Sequence, residues 1–313
     1  MKLLTKKSNF LFFTMLVFVF VSSSALAISG QISSTFRAID PYASGISQMS
    51  RTFPPNPVLA AETAFPVISA QGALAVDINS GVPLYEKNAD APLLPASTTK
   101  IITALVALDF YKLDQVLTVG SGVNVDGQKM GLYPGEEIKF EDLLYGLLVY
   151  SANDAAETLA QDYEGGYKAF IGAMNAKVVE LSMTNSHFDN PVGLDTDDQH
   201  STARDLVRAS EVAMRNPEFA KIVGTKQITV TDVTGKSIYN LKNINELLGK
   251  VPGVLGVKTG WTENARENLV TYIERDGHRV IIAVLGSQDR FGETKELIDW
   301  IFSSYQWQEV KTP

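Results

Sequence analysis

The sequence predicts an α+β fold, an α/β sandwich in which a mostly antiparallel sheet is flanked by helices and interrupted by an inserted helical subdomain. Three observations predict it. Strand-like runs stand near both ends of the chain, each pair meeting at a compact turn cluster. Between them, over about 115–222, the pattern is mainly helical. The 313 residues, 45% of them apolar, are enough to bury a sizeable core. Strands at the two ends of one domain would pair across the insertion and leave a cleft between two lobes, the natural place for a site.

The elements follow in order. Residues 73–78 and 82–86 flank Asn79-Ser80-Gly81 and predict a hairpin. Pro83 stands near the start of its second run, which a strand tolerates better than a central proline. Pro92 and Pro95 then interrupt the chain, and a helix is predicted from Ser97 through Ile101, Ile102, Leu105, Val106 and Leu108. Serine suits its N-cap or first turn. Residues 140–150 are strongly apolar, 153–163 form another helix candidate, and Thr202-Ala203-Arg204-Asp205 leads into Leu206, Ala209 and Val212. From Val254 strands return, with 268–274 and 278–286 joined across Arg275-Asp276-Gly277. A closing helix carries Leu297, Ile298, Ile301 and Phe302 on one face.

Residues 1–27 read as an export signal. Lys2, Lys6 and Lys7 precede an apolar core at 10–21 and the small-x-small site Ala25-Leu26-Ala27. The alternative is an uncleaved anchor, but a spanning helix needs roughly 20 apolar residues, which 10–28 approaches only by including Ser22, Ser23 and Ser24. Both readings place the rest of the chain outside the cytoplasm, in the periplasm or cell envelope. Residues 28–66, centred on Pro54-Pro55-Asn56-Pro57, hold neither period and are expected to be a flexible tether. The body is expected over 67–306, with 307–313 a tail.

Composition excludes several functions. The net charge is −8, and removing the leader's three lysines leaves 24 basic and 35 acidic residues, or −11. Nucleic acid needs clustered cations, so no such partner is expected. A polybasic lipid attachment is excluded in the same way. The absence of cysteine removes disulfides and thiolate chemistry. His187, His200 and His278 lack metal-binding spacing, so neither metal nor cofactor is expected.

Three motifs carry chemistry: Ser97-Thr98-Thr99-Lys100, Ser151-Ala152-Asn153 and Lys258-Thr259-Gly260. An S-x-x-K match alone is expected about once in a chain this long. Taken singly, Ser97 is explained as a helix cap, Ser151-Ala152-Asn153 as another, and Lys258 as a surface lysine at a strand end. Together they supply a nucleophile, a base, a proton relay and a clamp for a carboxylate. On a helix, Lys100 lies one turn from Ser97. It becomes a base only if burial or a nearby cation such as Lys258 lowers its pKa. Ser151 can pass a proton to a leaving amine, and Asn153 offers a donor and an acceptor to a substrate amide. Gly260 permits close approach.

With Pro95-Ala96, Asp154-Ala155-Ala156, Asn190-Pro191-Val192-Gly193-Leu194-Asp195, His200 to Asp205 and Trp261-Thr262 added, the chain resembles the serine D-alanyl-D-alanine carboxypeptidases, low-molecular-mass penicillin-binding proteins. The likeness spans about 66–306. It implies a β-lactamase/transpeptidase-like fold and a peptidoglycan stem peptide ending in D-Ala-D-Ala as substrate, with β-lactams as inhibitors. Ser97 would be the acylated nucleophile, Lys100 its base and Ser151 the relay. Asn153 would hold the substrate amide. Lys258, Thr259 and Arg290 would face the terminal carboxylate, and the amides of Ser97 and Trp261 would form the oxyanion hole. Ala265-Arg266 departs from the Ala-Gly of many relatives, which bears on the local turn and the pocket rim. Their C-terminal β-rich domain and amphipathic anchor have no counterpart after Phe302, so membrane contact would fall to the N-terminal segment. The rival readings are a D,D-endopeptidase on the same scaffold and a non-catalytic penicillin-binding wall sensor. A class A β-lactamase would need a deacylating glutamate, and no E-x-x-L-N segment lies between the second and third motifs.

Overall fold

The computed structural model describes residues 54–60 and 64–309. The predicted export signal and most of the tether lie outside these residues. A five-stranded antiparallel sheet in the order β3-β2-β10-β9-β8 forms the centre. Its strands are β2 (Gly72–Asp77), β3 (Pro83–Lys87), β8 (Val254–Thr262), β9 (Arg266–Arg275) and β10 (His278–Ser287). The two ends of the chain therefore pair across the insertion, with β2 against β10 from Gly72↔Leu285 to Asp77↔Val280.

Both predicted hairpins form. Pro83 opens β3, an edge strand, where its missing N–H breaks no central ladder. Asp276 and Gly277 turn β9 into β10 with φ of 50° and 79°, the two positive values that a tight hairpin turn requires. The sheet is buried on both faces because strand side chains alternate. Ile281, Ala283 and Leu285 of β10 enter one core with the helical lobe, while Val280, Ile282 and Val284 enter the other. In that second core Leu297, Ile298 and Ile301 of the closing helix α7 (Arg290–Ser304) are fully buried.

The inserted lobe holds most of the helices: α2 (Phe140–Leu148), α3 (Asn153–Asp162), α4 (Gly166–Glu180), α5 (Ala203–Arg215) and α6 (Pro217–Val223). The helix α1 (Lys100–Phe110) leads into it. Thr202 caps α5 by accepting from the Asp205 amide at 3.0 Å. Two small sheets accompany these helices: β4 (Val116–Thr118) with β5 (Glu137–Lys139), which interrupts the helical reading of 115–222, and β6 (Gln227–Thr231) with β7 (Ile238–Lys242), which follows it. Asp232 closes the second by accepting from the amides of Thr234 (3.2 Å) and Ser237 (2.8 Å).

The expected limits of tether and tail need correction. Asn56–Leu59 (β1), inside the expected tether, pairs antiparallel with Tyr305–Gln308 (β11), which reaches into the expected tail. Trp307 anchors the pair. Its ring stacks on His278 at 4.2 Å, and its Nε1 donates to buried Asp77 at 2.9 Å. Aromatic packing plus a satisfied buried carboxylate thus hold a segment that sequence periodicity leaves blank. Trp307→Ala should lower stability by about 2 kcal/mol, less than the ~3–5 kcal/mol for truncating a fully buried aromatic side chain because this ring is half-buried. Urea unfolding measures it.

Candidate active site

The strand-to-helix junction at the cleft floor is not the plain helix start that the sequence suggested. Ala96–Thr99 forms a short 3₁₀ turn, α1 begins at Lys100, and Ser97 caps nothing through its side chain. The turn is forced by Ala96, buried with φ of 46°, which aims the following serine into the cleft. Gly193 faces it. A Cβ there would fall 1.9 Å from the Ala96 carbonyl oxygen, so only glycine fits.

Lys100 is fully buried. Its Nζ donates to Ser97 Oγ at 2.9 Å, to Asn153 Oδ1 at 2.6 Å and to the Val192 carbonyl at 2.7 Å. Burial lowers its pKa to about 7, while the carboxylates of Asp154 and Glu157 pull the other way. Of the two causes that the sequence leaves open, burial and the charge of Lys258, burial is the leading one. Lys258 is also almost fully buried, and its pKa lies well below the ordinary value through burial first, then the charges of Lys100 and Arg290.

Ser151 has φ of 62°, which directs its hydroxyl towards the third motif. Lys258 Nζ donates to Ser151 Oγ at 2.8 Å and to the Thr259 carbonyl at 2.9 Å. Both ends of the Asn153 amide are engaged within the protein, Oδ1 by Lys100 and Nδ2 by the Asp126 carbonyl at 2.5 Å.

The third motif lies on β8, an edge strand open to the cleft. A Cβ on Gly260 would come within 2.9 Å of the Ser97 nitrogen, so the strand passes against the nucleophile turn. Trp261 is 63% exposed. Thr259 Oγ1 is buried with no hydrogen-bond partner among the described residues. Arg290, the first residue of α7, donates from Nη1 to the Gly260 carbonyl at 2.9 Å, and its Nε is also buried and unpartnered. A hydroxyl and a guanidinium N–H left unsatisfied at one end of a cleft suit a carboxylate.

Ser97, Ser151, Asn153, Thr259, Trp261 and Arg290 line a single cavity of about 580 Å³, together with Gly260. Lys100 and Lys258 reach into the hydrogen-bond network beneath it. All nine residues singled out in the sequence therefore converge. No cluster of three or more metal-ligating side chains occurs among the described residues.

Several positioning groups had weaker signals. Asn190 Oδ1 accepts from the amides of Val192, Gly193 and Leu194 at 3.3, 2.8 and 3.1 Å, shaping the loop that presents the Val192 carbonyl. Asp195 joins that loop to the end of β8 by accepting from Thr262 at 2.9 Å and Asn264 at 3.2 Å. Asp154 accepts from the amides of Met130, Gly131 and Leu132 and holds the loop that carries Gly127 and Gln128 into the cavity wall. The Asn-Pro-x-Gly turn at 190–193 was a legible signal, whereas the contacts of Asp154 are decided across the fold. Arg266, at the departure from Ala-Gly, keeps the left-handed turn with φ of 59°. The turn survives the bulky side chain, at a strain of about 1 kcal/mol.

A buried lysine on a serine hydroxyl, with a second serine–lysine pair and an anion pocket in the same cleft, is the arrangement that a serine acyl-transfer enzyme needs. A family model described as D-alanyl-D-alanine carboxypeptidase matches residues 59–289. The D-alanyl-D-alanine carboxypeptidase DacF of Bacillus subtilis is 33% identical over 246 residues, covering 76% of this chain and 63% of that protein. A D-alanyl-D-alanine endopeptidase of Pseudomonas aeruginosa is 33% identical over 243 residues, 75% of this chain and 77% of its own. The crystal structure of the Streptomyces K15 DD-transpeptidase superposes with a TM-score of 0.73 at 34% identity, over 77% of this chain and all of the other. The chain belongs to the peptidase S11 family, the serine-type D-alanyl-D-alanine carboxypeptidases.

Two outcomes follow from the geometry. A lysine accepts a hydroxyl proton only in its neutral form, so if Lys100 and Ser97 are the reacting pair, acylation of Ser97 should rise with pH through about 7 and level off above it. A stopped-flow pH profile measures this. The unfolded chain holds a proton on this lysine up to its ordinary range and the folded chain does not, so the residue's contribution to stability rises with pH above about 7. Secondly, Arg290→Gln should lower kcat/KM at least tenfold on a peptide with a free C-terminal carboxylate, the order expected for losing a charge-assisted contact. An amidated peptide should be far less affected.

Proposed function

We propose that this protein is an exported D,D-carboxypeptidase that removes the terminal D-alanine from peptidoglycan pentapeptides through an acyl-enzyme on Ser97. The observation that carries the reading is the contact of buried Lys100 Nζ with Ser97 Oγ at 2.9 Å, at a pKa near 7. Family membership supports the reaction class.

Ser97 Oγ attacks the carbonyl of the penultimate D-alanine as its proton passes to Lys100. The amides of Ser97 and Trp261 receive the developing oxyanion, worth several kcal/mol when two donors act together. Thr259 and Arg290 hold the terminal carboxylate and so fix the scissile bond against the nucleophile. Ser151, hydrogen-bonded to Lys258, gives its proton to the leaving amine as the C–N bond breaks and is reprotonated with the proton that Lys100 took, which leaves Lys100 neutral again. Water then hydrolyses the ester, with neutral Lys100 as base. Penicillins mimic the D-Ala-D-Ala end with a strained amide and a carboxylate, and they acylate the same serine. The export signal expected at residues 1–27 supports a reaction outside the cytoplasm.

D-alanine release from a pentapeptide ending in D-Ala-D-Ala tests the assignment, with Ser97→Ala as control. Release should vanish in the control, along with covalent penicillin labelling. A folded, penicillin-labelled protein that releases no D-alanine would overturn the carboxypeptidase reading. Intact-mass analysis of the protein recovered from cells should show a chain beginning at Ile28.

A further inference from the structure

A second cavity, of about 820 Å³, lies beside the catalytic cleft, and Ile244 and Arg290 stand in the walls of both. It gathers cations in a chain whose net charge is −8. Lys226, Lys242 and Lys250 line it against the single carboxylate of Glu246, which Lys250 already pairs at 3.0 Å. Lys226 and Lys242 form no ion pair among the described residues. Asn245 adds a donor of another kind. It is 5% exposed, its Oδ1 accepts from the Leu247 amide at 3.1 Å, and its Nδ2 is buried without a partner among the described residues. The Leu247 contact fixes which end of the amide is which, so the open end is the N–H end. A buried donor left open destabilises the fold unless something fills it.

Asn243 holds this wall in place. Lys226 and Lys242 flank the open end of the β6–β7 hairpin, where Gln227 pairs with Lys242. The Asn243 amide donates to the Lys226 carbonyl at 2.8 Å, and its Nδ2 donates to the carbonyls of Val223 and Thr225 at 3.2 and 2.9 Å. Its Oδ1 accepts from the Asn245 amide at 2.9 Å. One side chain thus ties together the backbone positions that carry all three open donors.

The donors select a ligand by their chemistry. A planar carboxylate is best met by the fork of a guanidinium. Arg290, the single arginine of this lining among the described residues, is the carboxylate clamp of the cleft on the proposed function. Two ammonium groups and an amide N–H, carried on three separate backbone positions, suit a tetrahedral oxyanion instead. Its oxygens accept from several sides, and as a monoester it carries close to two negative charges. The cavity is larger than one such ion and leaves room for an organic group against Ile244, Leu248 and Phe291. We propose that the chamber binds a phosphate ester and that its occupation weakens the hold of Arg290 on the substrate carboxylate. The coupling rests on that reading of Arg290, whereas the binding site does not. Two anions flanking one guanidinium repel each other, and the loss is reciprocal, so bound substrate also weakens the ester. The ester comes either as a free phosphorylated molecule or as a link in a phosphodiester chain.

Isothermal titration of the purified protein with glycerol 3-phosphate tests the site directly, with succinate and glycerol in parallel. Glycerol 3-phosphate should bind, succinate about tenfold more weakly, and glycerol not at all. The Lys226→Gln/Lys242→Gln variant should lose about tenfold in affinity, as expected for two charge-assisted contacts partly screened by solvent. Asn245→Asp keeps the acceptor for the Leu247 amide but turns a negative oxygen towards the phosphate, and it should lose at least as much. In D-alanine release from a pentapeptide, saturating glycerol 3-phosphate should raise KM about fivefold and leave kcat unchanged. Without the ester the lysine variant should turn over the pentapeptide about as fast as the unmodified protein, which reports folding, and its KM should not respond to the ester. Tighter binding per phosphate by a poly(glycerol phosphate) chain assigns the site to a phosphodiester, and equal binding per phosphate assigns it to the free ester. No binding of either phosphate probe, equal binding of succinate, or binding that both variants leave intact would overturn the site. Binding with no change in KM would overturn the coupling. An unmodified protein that releases no D-alanine would count against the carboxypeptidase reading alone, because the titration still decides what the chamber binds.

Discussion

The site depends on keeping the Lys100 ammonium group away from water. Desolvating an unpaired ammonium costs several kcal/mol, and this side chain is fully buried. The protein answers in two ways. Three oxygens, from Ser97, Asn153 and Val192, satisfy the three donor positions of the ammonium form. The pKa also drops to about 7, so near neutrality much of the population carries no charge. The same burial that would destabilise a cation therefore makes a base.

Those three oxygens come from three separate parts of the chain, and much of the fold serves to bring them together. Ser97 is set by the tight turn around Ala96, Asn153 by the start of α3, and Val192 by a loop that Asn190 shapes from within. Asp195 ties that loop to β8, and Asp154 ties α3 to the loop above the cleft. The sheet contributes an edge. Because β8 is paired on one side only, its other side is free to run along the nucleophile turn and a substrate. Placing Thr259 and Arg290 at one end of that edge separates carboxylate recognition from proton transfer, so each can act on its own part of a peptide.

Much of this was legible in the residues. Both hairpins announced themselves through Asn79-Ser80-Gly81 and Arg275-Asp276-Gly277, because turn chemistry is local. The face of α7 was legible because Leu297, Ile298 and Ile301 recur at helical spacing. The β6–β7 hairpin was not read, although 227–231 is rich in β-branched residues. The β1–β11 pair was less accessible still, since a four-residue strand in a proline-rich stretch is held by Trp307 and Asp77, which are distant in sequence.

By itself the sequence determined the reacting groups and their order: a serine three residues before a lysine, a second serine, and a lysine–threonine–glycine strand end. It also determined the α+β class, since strand and helix periods are properties of neighbouring residues. Only the tertiary structure decided that burial of Lys100, and not the charge of Lys258, is the leading cause of its lowered pKa, because desolvation depends on everything packed around a group. Only the tertiary structure engaged both ends of Asn153 and opened a basic chamber beyond Arg290. Both arise where segments tens of residues apart come into contact, and no local pattern in the chain encodes such a meeting.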